Sequence, residues 1–81
     1  MNAENLKLAN TLNSDIERLK KQINFWEKSR KLRSTMQLDV EGFEQYIEVD
    51  TTFINFEVLR ALTLSELKKE LLKKETEFNN L

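Results

Sequence analysis

Two apolar stripes at coiled-coil spacing constrain this chain more than any other feature in it. Ala9, Leu12, Ile16, Leu19, Ile23 and Trp26 recur at alternating steps of three and four, and Leu64, Leu67, Leu71, Lys74, Phe78 and Leu81 repeat the rhythm near the other end. Each stripe covers roughly 26 Å of helix at about 1.5 Å per residue. Polar residues such as Asn10, Asn13, Arg18, Lys21 and Asn24 fill the gaps in the first, so it is a seam along one side of a helix and not an apolar rod. Two seams of equal length on either side of a short stretch predict a mainly α fold. That fold is two long antiparallel helices (a helical hairpin, or coiled coil) joined by a short β-hairpin. The chain reads as a single domain over 1–81, with helices over about 3–32 and 52–80 and a β-hairpin over about 36–49.

The first helix is expected to start near Asn2 or Ala3, with Leu6, Ala9 and Leu12 on the seam side. Ser14 and Glu17 form a capping box that offers a rival start. From Ser34 the apolar period changes to two: Met36, Leu38 and Val40 alternate with Gln37 and Asp39, and Ile47 and Val49 alternate with Tyr46, Glu48 and Asp50. The only glycine, Gly42, lies between the two runs. A two-residue turn at Glu41-Gly42 would pair Val40 with Phe43, Leu38 with Gln45 and Met36 with Ile47. That register sets Asp39 against Glu44, a like-charge pair that costs a few tenths of a kcal/mol. Residues 53–58 suit either a third strand or a helix that is apolar nearly all round. Asp50, Thr51 and Thr52 offer N-caps before a helix from about Thr52, and Thr63-x-x-Glu66 marks a place where it could kink.

Composition narrows the function classes. With 81 residues, no Cys and no His, the chain has neither disulfides, nor thiolate metal sites, nor the commonest general base and metal ligand. Catalysis is therefore not expected, and neither are cofactors or a metal. A chain of this size usually needs reinforcement, and association is the means left to it. A homo-oligomer, dimer to tetramer, is expected, with the apolar stretch 53–62 as its contact. No run of 18 apolar residues exists and MNAENLKLAN has no export signature, so no membrane partner and a cytoplasmic location are expected. Thirteen basic and 14 acidic residues nearly cancel, which argues against nucleic acid as partner.

Charge is nonetheless segregated. Residues 18–33 hold seven basic groups against Glu27 alone, and residues 34–59 hold six acids and no base. If the first helix runs to Leu32 or beyond, Trp26, Arg30 and Arg33 share one of its sides and the arginines extend the seam. Unpaired buried guanidiniums cost several kcal/mol, so either acids from the connector or a bound anion must meet them. An aromatic ring beside two arginines also suits a nucleotide-like anion, and Tyr46 could add a second aromatic wall. The ligand-binding set expected from sequence is thus Trp26, Arg30, Arg33 and Tyr46. The corresponding function is a small non-enzymatic, oligomeric binding protein, in the style of a phage or mobile-element accessory protein, that sequesters an anionic small molecule or inhibits a host protein. The alternative is a structural coiled-coil adaptor with no ligand, in which Trp26 is a core residue and the charges pair internally.

Overall fold

A computed structural model describes residues 3–81 of the chain. It contains helix α1 (Ala3–Lys28), strands β1 (Thr35–Leu38) and β2 (Ile47–Asp50), and helix α2 (Phe56–Asn79). Asn2, one of the two expected starts of the first helix, lies outside the described residues. The helix passes through Ser14 without a break, so the capping box there does not start it.

The two helices run antiparallel. Trp26 meets Phe56 at one end, while Asp15, Arg18, Leu19 and Gln22 share a surface depression with Glu70 and Lys74 further along. On α1, Ala9, Leu12, Ile16 and Ile23 are buried, and Leu19 and Trp26 are half-buried, which is the seam read from the sequence. Leu6 is the departure: it is 55% exposed. The α2 side of the seam is looser. Leu64, Leu67, Leu71 and Lys74 are half-buried, and Phe78 and Leu81 are exposed. Lys74 is tolerated in the seam because Glu70, one turn back, sits 3.8 Å from its ammonium. Upstream, Phe56, Leu59 and Thr63 extend the inward side of α2, which runs past Thr63 as one unbroken helix.

Two helix boundaries and the register of the ribbon differ from the sequence expectation, each for a local reason. Helix α1 ends at Lys28, four residues before Leu32. Ser29 turns it off: its N–H and its hydroxyl both donate to the Trp26 carbonyl, at 3.2 and 2.6 Å, which tightens the last turn. The guanidinium of Arg60 then reaches across from α2 to the Ser29 carbonyl at 3.3 Å. Helix α2 starts at Phe56, not near Thr52, because Asn55 is the residue that caps it; its side-chain oxygen accepts from the Val58 N–H at 3.2 Å. Residues 53–55 are therefore turn, and 56–58 are helix.

The third difference is the register of the ribbon. Met36 pairs with Val49 and Leu38 with Ile47, two residues away from the expected pairing. The turn itself forms, since the Phe43 N–H donates to the Val40 carbonyl at 3.1 Å. Gly42 has φ +91°, however, and no other described residue has positive φ. A tight hairpin of type I′ needs positive φ at both central residues, whereas a turn with only its second residue there splays the strands. The ladder accordingly closes further back, around a loop over 39–46. The shift keeps every side chain on its expected face and matches apolar residues with apolar ones.

Candidate functional site

Between the end of α1 and the start of α2 the chain runs through two short irregular segments, 29–34 and 51–55, that lie side by side at the base of the ribbon. Thr51 fastens them. Its N–H donates to the Ser34 carbonyl at 2.9 Å, its hydroxyl donates to the Arg33 carbonyl, and its own carbonyl accepts from the Ile54 N–H at 3.0 Å. It is the one buried polar side chain among the described residues, and every polar group it buries is paired.

An open cleft of about 820 Å³ lies along this seam between the two segments. Lys31, Arg33, Ser34 and Thr35 line it from one side, and Thr51, Thr52, Ile54 and Phe56 from the other, with Leu32. It therefore carries two cations, four hydroxyls and no carboxylate. Asp50 is the nearest acid in sequence, and the Thr52 hydroxyl and then the Thr52 N–H, both donating to it, hold its carboxyl below the usual value. Next to the cleft is a smaller, mostly apolar recess of about 190 Å³, which shares Lys31, Leu32 and Phe56 with it and adds Phe25, Trp26 and Ser29. Trp26 and Phe56 stack there with ring centroids 6.3 Å apart and planes 14° apart.

The four expected site residues separate. Arg33 lines the cleft, and Trp26 lines the adjoining recess. Arg30 lines neither; because α1 stops at Lys28, neither arginine extends the helical seam, and both are exposed. Neither has an ion-pair partner among the described residues, where the three pairs are Arg18–Asp15, Arg60–Glu57 and Lys74–Glu70. Tyr46 is 69% exposed and lies in the 39–46 loop, in a shallow depression with Asp39, Glu44 and Gln45 that shares no residue with the cleft. Lys31, outside that set, is exposed and lines the cleft. The hydroxyl pairs Ser34-Thr35 and Thr51-Thr52 were also missed. Their signal was present: each pair flanks an alternating apolar run, so closing the ribbon had to bring them together.

Comparison of the chain with family models, with curated proteins and with solved structures finds no match. No helix among the described residues is long and apolar enough to cross a membrane, and no group of acidic side chains there is placed to hold a metal ion.

Proposed function

We propose that the protein is a small, non-enzymatic, cytoplasmic binding protein that takes a phosphate-bearing anion in the cleft at the base of the ribbon. The observation that supports this is the lining: Lys31 and Arg33 stand among four hydroxyls with no carboxylate to neutralise them. Arg33 suits bidentate contact with a phosphate, Lys31 adds a movable point charge, and the Ser34 and Thr35 hydroxyls can donate to remaining oxygens, those of Thr51 and Thr52 being engaged with the Arg33 carbonyl and with Asp50. The Trp26–Phe56 pair gives an aromatic wall beside the charges, which favours a ligand with a flat ring over a bare ion. Capture needs no bond to be made or broken, and the residues at the cleft offer binding groups rather than a nucleophile with its base.

Titration with ATP, adenosine and inorganic pyrophosphate tests this. Trp26 is the only tryptophan, so its fluorescence reports the recess directly. ATP is expected to change the signal more strongly than pyrophosphate, and adenosine hardly at all, with affinity falling as salt rises. Arg33→Ala and Lys31→Ala should each weaken ATP by about tenfold or more, as for loss of a charge-assisted hydrogen bond of roughly 1.5–3 kcal/mol. Arg30→Ala removes a cation outside the lining and should leave affinity within about twofold. If Arg30→Ala weakens binding as much as Arg33→Ala, or if no phosphate compound binds, the cleft is not the site. The adaptor reading would then stand, supported by the apolar side chains on the outer side of α2.

A further inference from the structure

The ribbon and the outer side of α2 have complementary deficiencies. Each strand is four residues long, Met36, Leu38, Ile47 and Val49 share one face, and neither strand packs on either helix. A two-stranded ribbon alone in water is marginal, and it becomes stable when its apolar face is covered. On α2, Val58, Leu62 and Leu72 project away from α1 and are 52%, 63% and 67% exposed. They span roughly 21 Å of that side, with Ser65 and Lys69 between Leu62 and Leu72, against roughly 13 Å for a four-residue strand.

We propose that two copies of this chain interlock, the apolar face of each ribbon lying on the outer side of the other copy's α2. Two measures point to a second copy as the occupant. The chain exposes 7043 Å², whereas a compact chain of 9.7 kDa exposes about 5,100 Å², an excess of about 1,900 Å². The elongated shape and the uncovered ribbon account for that excess, and a second chain lying on the ribbon and on the outer side of α2 would remove part of it. Charge agrees as well: Asp39, Glu41 and Glu44 lie at the loop end of the ribbon, and exposed Lys69 and Lys73 stand near Leu72 on the outer side of α2. The exchange is reciprocal, so a twofold axis closes it and leaves no face open for further addition. Lys31 and Arg33 take no part, and the dimer stands or falls independently of ligand capture.

The chain has no cysteine, so introduced thiols report contacts without background. Leu38→Cys and Leu62→Cys both replace exposed side chains, at 45% and 63%, and hollow no core. Sedimentation of the wild type should give twice the 9.7 kDa chain mass. Mixed and oxidised, the two variants should form a disulfide-linked pair faster than either forms one alone. Leu62→Glu should yield a monomer that keeps its helix content. A wild type that is monomeric at tens of micromolar overturns the proposal. So does preferential Leu62→Cys self-linkage, which would mean that the α2 helices meet back to back, and so does a Leu62→Glu variant that remains dimeric.

Discussion

Thr51 joins two segments that have no regular structure to hold them. Its hydroxyl and its N–H take consecutive carbonyls, those of Arg33 and Ser34, so one residue fixes the backbone on which Arg33 is carried. Thr51→Val keeps the shape and removes the hydroxyl, leaving the Arg33 carbonyl without that donor. A stability loss of about 1–2 kcal/mol is expected by urea unfolding, together with weaker anion binding, since Arg33 is no longer positioned. Thr51 was only one of three candidate caps in the sequence, and no local rule distinguishes a cap from a clamp when the partner is 18 residues away. Arg60 is a similar case: its ion pair with Glu57 is local to α2, but its contact with the Ser29 carbonyl is visible only once α2 lies against the end of α1.

At the scale of elements, the two helices contribute unequally to the core. Among the described residues the four buried apolar side chains all belong to α1, and α2 has none. Leu12, at 2% exposure, is the most enclosed of them, so Leu12→Ala should cost about 3 kcal/mol, read from the midpoint of a denaturant curve. A loss below about 1 kcal/mol would mean that the seam is not the core. Heptad spacing placed this seam correctly because residues at steps of three and four fall on one side of a helix, and that side is the apolar one. The helix ends were less legible. No Gly or Pro marks the stop at Lys28, and the Ser29 side chain that makes it looks in sequence like any polar residue on a helix.

The molecule as a whole is extended. Its radius of gyration is 17.0 Å, against about 12 Å for a compact chain of 81 residues, and its extents are 50 × 32 × 14 Å. Such a shape follows from a helical hairpin with a ribbon that packs on neither helix. If a second copy supplies the missing cover, stability depends on protein concentration, and the ribbon feels this most. The melting temperature should rise with concentration, and the amides of Met36 and Leu38 should exchange faster on dilution than those of Ile16 and Ile23. A melting temperature independent of concentration, with equal protection in ribbon and helix, would show that each chain is complete alone.

The sequence by itself determined the order of elements, the antiparallel pairing of two seams and the apolar face of the ribbon, because periodicity is a local property that any folded state must respect. The face survived even a wrong register, since a shift of two residues returns every side chain to the same side. Only the tertiary structure decided which polar residues stand together. Arg33 and Lys31 reach the cleft, while Arg30 and Tyr46 do not, because Ser29 ends α1 early and Gly42 splays the turn. Each of those choices rests on one hydrogen bond or one dihedral. At that scale residues of like type compete on nearly equal terms until their neighbours are in place.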